Sequence, residues 1–144
     1  MEIDNHRVRE RLFGPHGSPP PVTQTLGGRV ASLTDSSVLE SEYVGVPAFL
    51  NPAGHIQGGI LSAMLDDVTA LLVVSTLSDG EHCATLSLNT SFLRPAKVGK
   101  LLGRSTLIRR GRGVCNVSGE LWQEDKLVAT ASAVCAIVPK GDAR

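Results

Sequence analysis

Two hydrophobic rhythms divide the chain. Across residues 83–93 apolar and polar side chains alternate, with Ala84, Leu86, Leu88 and Phe92 on one parity and Thr85, Ser87, Asn89 and Ser91 on the other. A period of two places the two sets on opposite faces of a half-buried strand. Residues 101–110, 114–123 and 127–138 predict three more strands, joined by hairpin turns at 110–113 and 123–126. Nearer the N-terminus, residues 29–33 and 37–46 read as two strands around a Thr34-Asp35-Ser36 turn.

Between these groups the pattern changes. A loop rich in Gly, Pro and Asn, residues 47–57, leads to Gly58-Gly59, and one helix is predicted from there to about Leu77, closed by Ser78-Asp79-Gly80. This helix is apolar nearly all round, so it must be covered on most sides. Two strands, one helix and four strands, with a helix that needs covering, predict an α+β fold: a curved antiparallel sheet wrapped around one long central helix.

Residues 1–22 read as an N-terminal extension. A short amphipathic stretch (Ile3, Val8, Leu12, Phe13) runs into Gly14 to Ser18 and three prolines, Pro19 to Pro21, a run read as linker and not as helix or central strand. The domain is placed at 23–139, and 140–144 are a C-terminal tail. The N-terminus mixes acids and bases and lacks an apolar segment of the kind a secretory signal needs. A membrane span at 60–74 is rejected, because Asp66 and Asp67 at its centre would each cost about 2.5–3.5 kcal/mol on insertion.

Composition narrows the function. Fourteen acids balance fourteen bases, whereas a nucleic-acid surface needs a basic excess. Cys83, Cys115 and Cys135 are odd in number and widely spaced, which reads as reduced, buried thiols in a cytoplasmic protein and excludes a zinc site. Aromatics are only 3%, so Val, Leu, Ile and Ala must fill the core.

The chemistry is concentrated in the helix. Carboxylates are rarely buried without partners, so Asp66 and Asp67 in an apolar helix need a reason. Ser62, Asp66 and Thr69 fall at i, i+4 and i+7, a narrow polar stripe. One explanation is a surface or subunit seam where both acids pair with Arg or Lys. The other is a desolvated catalytic carboxylate. Upstream, Gly58-Gly59 let a ligand approach the backbone, and unpaired N–H groups at a helix start polarise a carbonyl or stabilise an oxyanion.

Asn51-Pro52-Ala53-Gly54-His55-Ile56-Gln57-Gly58-Gly59, followed by residues 60–66, resembles the phenylacetyl-CoA thioesterase (PaaI-like) branch of the hotdog-fold superfamily. Asn51, Gly54, Gly58, Gly59 and Asp66 keep that branch's spacing, and residues 85–99, including Phe92-Leu93-Arg94-Pro95-Ala96-Lys97, resemble its next strand and turn. The resemblance implies an acyl-CoA thioesterase, acting on an aromatic or medium-chain acyl group without metal or organic cofactor. Asp66 is then nucleophile or general base, and the Gly58 N–H polarises the thioester carbonyl. Asn51 positions the acyl group or water, and Thr85 touches that water. The resemblance also implies a site shared across a homodimer, with dimers pairing into homotetramers.

One departure stands out: the family His before the glycine pair is Gln57, which hydrogen-bonds but carries no proton. His55 reads as an exposed loop residue and Asp67 as structural. Arg94, Lys97, Arg109, Arg110 and Arg112 are candidates to meet coenzyme A phosphates. The alternative function is a non-catalytic acyl-CoA or small-ligand binding protein. A hotdog dehydratase ranks lower, since no histidine holds the matching place.

Overall fold

The computed structural model describes residues 5–35, 37–139 and 141; the rest of the predicted tail and Ser36 of the predicted turn lie outside them. Six strands form a single antiparallel sheet: β1 (Arg29–Thr34), β2 (Val38–Gly45), β3 (Glu81–Phe92), β4 (Gly99–Arg110), β5 (Val114–Gln123) and β6 (Lys126–Pro139). Their order across the sheet is β1-β2-β4-β5-β6-β3. The chain after the central helix crosses to the far edge as β3, then returns beside β2 as β4, and β5 and β6 fill the gap out to β3.

Two short helices precede the sheet. α1 (Asn5–Phe13) carries Val8 and Leu12 one turn apart, and both are buried. Gly14 ends it with a φ of +77°, the left-handed cap that glycine adopts without strain. α2 (Pro21–Thr25) begins on the last proline of the run expected to exclude helix. A proline in the first helical position loses no hydrogen bond and arrives with the right φ, so the run ends by starting a helix.

The central helix, α3, spans Gly58–Val74, three residues short of the expected end. Ser75 and Thr76 hydroxyls donate back to the Leu72 and Val73 carbonyls, and the Thr76 and Leu77 amides bond three residues back, tightening the exit. The sheet curves around α3 as its hydrophobicity requires: Met64, Leu65, Val68 and Leu72 are fully buried against Leu39, Leu101 and Leu121. Gly119 permits the close approach, since a Cβ there would sit 3.0 Å from the Thr69 methyl. One side of α3 stays uncovered, with Ala63, Asp66 and Ala70 half-exposed. Among the described residues no helix is long and apolar enough to cross a membrane.

β3 departs from the strict alternation read from its sequence. Its pairing to β6 shifts between Thr85 and Ser87, leaving Leu86 as an extra, bulged residue. A bulge reverses the parity of everything beyond it. Cys83 and Thr85 therefore face α3 before the bulge, and Leu88, Thr90 and Phe92 after it. Leu86 is left 63% exposed.

Candidate active site

Asp66 and Thr85 come together. The Thr85 hydroxyl donates to Asp66 Oδ1 at 2.8 Å. Asp66 is half-exposed and has no Arg or Lys within ion-pair distance among the described residues. Ser62, one turn earlier, meets Thr90 on the same strand at 3.3 Å. Thr69 instead turns back on its own helix, donating to the Leu65 and Asp66 carbonyls. The polar stripe thus splits into two residues that contact β3 and one that bonds within the helix.

Asp67, the next residue, lives in another environment. It is 9% exposed. Thr23 donates to its Oδ1 at 2.6 Å and Tyr43 to its Oδ2 at 2.7 Å. Burial raises its pKa above the ordinary carboxylate value, while the two hydroxyl bonds pull it down. Tyr43 is pushed well up by burial and by the neighbouring Asp67 charge. Neither acid is paired with an Arg or Lys of its own chain among the described residues.

The other end of α3 opens onto a cleft of about 350 Å³, walled by Asn51, His55, Gly58, Leu61, Phe92 and Arg94 among others. The Gly58 N–H makes no hydrogen bond to the described residues, so it is available as a donor at the positive end of the helix dipole. The Phe92 ring stands close over this turn: a Cβ at position 58 would sit 3.2 Å from it, so a larger residue there would push the ring aside. Gln57 caps the helix with its backbone only, and its side chain is exposed and makes no capping bond.

Asn51 holds the loop in shape. Its Oδ1 accepts from the Ala53 and His55 amides at 3.0 and 3.1 Å, and Gly54 makes the turn with φ +84°. The Ile56 amide then bonds the Ala96 carbonyl, fastening the loop to the segment after β3. His55 is half-buried and lines the cleft, so it is not the exposed loop residue expected. Its sequence neighbours gave no sign of this, because the loop is seated by the Ile56 bond to the Ala96 carbonyl, forty residues on.

The basic candidates separate. Arg94 and Lys97 border an adjoining cleft of about 290 Å³ with His55 and Lys126; Arg94 is anchored on the Leu127 carbonyl at 2.8 Å. Arg110 is engaged elsewhere, with Thr76 and Glu81. The three cysteines, distant in sequence, gather in one row: Cys115 pairs opposite Cys135, which pairs opposite Thr85, two residues from Cys83. All three thiols are free.

Within one chain Gly58 and Asp66 do not converge. Eight residues of helix separate them, about 12 Å along the axis. A carbonyl at the Gly58 N–H is out of reach of the same chain's Asp66.

The thioesterase superfamily model matches residues 53–130, from the loop into the start of β6. A proposed esterase of Haemophilus influenzae is 30% identical over 76 residues, 53% of this chain and 51% of that protein, so the chain spans about half of that relative's length. Among solved structures, a proposed thioesterase of Ralstonia eutropha JMP134, described as related to phenylacetic acid degradation, is 56% identical; the match covers 90% of this chain and 98% of that one, with a TM-score of 0.85. A Haemophilus influenzae thioesterase shares the fold at 21% identity and a TM-score of 0.79, covering 85% and 86%. The likeness first seen in residues 51–66 and 85–99 thus extends over nearly the whole chain, and this chain belongs to the thioesterase superfamily, a family of thioester hydrolases.

Proposed function

We propose that the protein hydrolyses an acyl-CoA, aromatic or medium-chain, to the free acid and coenzyme A, as a homo-oligomer and with no metal or organic cofactor. The observation that carries this reading is a free N–H donor at Gly58 and a Thr85-bonded carboxylate at Asp66, both on the uncovered side of α3. The N–H polarises the thioester carbonyl and stabilises the oxyanion. Asp66 either attacks that carbon, expelling the coenzyme A thiolate and leaving an anhydride that water opens, or draws a proton from the water whose attack expels the thiolate; Thr85 holds the carboxylate in line.

The 12 Å between these groups calls for a second copy. β3 supports that arrangement: it is twelve residues long, none of them buried, and pairs only with β6. Leu86, Phe92 and Leu93 are each more than half exposed along it. Two such edges pairing antiparallel would bring Gly58 of one chain toward Asp66 of the other; two dimers then build the tetramer. Arg94, Lys97 and Lys126 beside the cleft suit the phosphates of coenzyme A, and three free thiols suit the cytoplasm.

Gln57 favours one other reading, a binding protein that leaves the thioester intact, because it transfers no proton. Thiol release from aromatic, short and long acyl-CoAs separates the two. Wild type is expected to release thiol and Asp66→Asn to lose about 10²–10⁴-fold in rate. Saturable binding with no release in wild type would establish the binding protein.

A further inference from the structure

One buried carboxylate has no part in the hydrolysis. Asp67 sits at mid-helix, and both its oxygens accept from hydroxyls that are themselves buried, Thr23 (1% exposed) and Tyr43 (0%). The surroundings are shaped for them. A Cβ on Gly28 would come within 2.6 Å of the Thr23 methyl, and one on Gly103 within 2.9 Å of the Tyr43 ring. The chain's single tyrosine and a turn of its N-terminal arm therefore converge on one acid.

Stability alone does not favour such an acid. A buried carboxylate answered only by neutral donors is costly, and an apolar side chain of similar volume is often as good or better. What an acid adds is direction. Asp66 and Asp67 are successive residues, about 100° apart around the helix. Asp66 reaches β3, at one edge of the sheet; Asp67 reaches β2, next to the other edge, and α2 beyond it. Packing a helix that is apolar nearly all round leaves its rotation soft, and two tethers to different strands fix it.

The required precision is high. A carboxylate about 6 Å from the helix axis moves about 1 Å when the helix turns by about 10°. A misplacement of about 1 Å costs on the order of 10²-fold in rate.

We infer that Asp67 is a positioning residue: held by Thr23 and Tyr43, it fixes the rotation of α3 so that Asp66 faces Thr85 and the thioester. The inference rests on the hydrolase reading and extends it, because Thr23 makes the N-terminal arm part of the active-site apparatus.

The test compares full-length wild type with Asp67→Asn, Thr23→Val and Thr23→Ser, using the acyl-CoA that wild type cleaves fastest, at a temperature where circular dichroism shows every variant folded. Asp67→Asn and Thr23→Val are expected to lower kcat about 10- to 100-fold, with KM changed less than about 2-fold. Thr23→Ser, which restores the donor, returns kcat to within about 3-fold of wild type. Variants that lose melting temperature but keep kcat overturn the inference, and so does a rise in KM at constant kcat. A second readout needs no activity: the side-chain carboxyl carbon resonance of Asp66 should move in Thr23→Val toward its position in Thr85→Val, and stay in Thr23→Ser. An Asp66 resonance unmoved in Thr23→Val overturns the inference as well. Wild type that cleaves no thioester would count against the hydrolase reading, and the resonance would still decide the positioning role.

Discussion

At one edge of the sheet the six residues of β1 lie under α1, with Val30 and Leu33 buried; at the other, β3 runs for twelve residues with none buried. An exposed strand edge is a template for pairing and is normally shortened or covered. This chain covers one edge with its own N-terminal arm and leaves the longer one bare. The same division runs through two consecutive side chains. Asp67 turns to the covered flank and is sealed by Thr23 and Tyr43, while Asp66 turns to the open flank, where one hydroxyl meets one of its oxygens and the other meets no donor among the described residues. Identical chemistry at adjacent positions is sealed on one side and open on the other, because the sheet closes around α3 on one side only.

The comparison breaks most severely if the open edge is prevented from pairing. Leu86→Lys places like charges along β3 of both copies and is expected to yield monomers in sedimentation. With Gly58 of a partner withdrawn, thiol release should fall by about 10²–10³-fold, the cost of losing an oxyanion donor. Monomers that keep full activity would refute a site shared between chains. Thr85→Val removes the hydrogen bond on the open flank and should lower kcat about 10- to 100-fold, as for a bond to a charged group, with the assembly intact by sedimentation. On the covered flank, Leu12→Ala, in α1 and outside the Thr23–Asp67 tether, should cost about 2 kcal/mol in denaturant unfolding and leave the kcat of folded molecules unchanged; a large drop in kcat would show that the arm acts on the site through more than that tether.

The smallest effect concerns acid. Burial raises the folded pKa of Asp67 above its ordinary value of 3.8, so the folded chain holds that proton more firmly than the unfolded one. Its contribution to stability is full below 3.8 and declines as pH rises through the raised value. The unfolding free energy of wild type minus that of Asp67→Asn should accordingly fall with rising pH across the carboxylate range, as measured by urea titration at each pH. A difference that grows with pH would show that the hydroxyl bonds outweigh burial.

Much of this was readable from residue order. The order of the six strands and the central helix, the hairpin turns and the need to wrap that helix all followed from periodicity, since the spacing of apolar side chains reports which face must leave water; α2, starting inside the proline run, did not. The loop from Asn51 to Gly59 and the acid at 66 were visible through their spacing. The facing of β3 was not legible: a bulge adds one residue to one strand, and only the partner strand reveals it. Without the bulge Thr85 and Leu88 would lie on opposite faces, and Leu88 could not join Thr85 on the side of α3. The position of His55 and the gathering of the cysteines were hidden for the same reason, being set by contacts with residues tens of positions away.

The local pattern of this chain determined its strands, its central helix and the presence of two carboxylates in an apolar segment, because those depend on neighbours within a few residues. Tertiary structure decided which carboxylate is sealed and which is open, through Thr23 and Tyr43 on one side and Thr85 on the other. Burial and hydrogen bonding are properties of surfaces brought together across the fold, and no local pattern carries them.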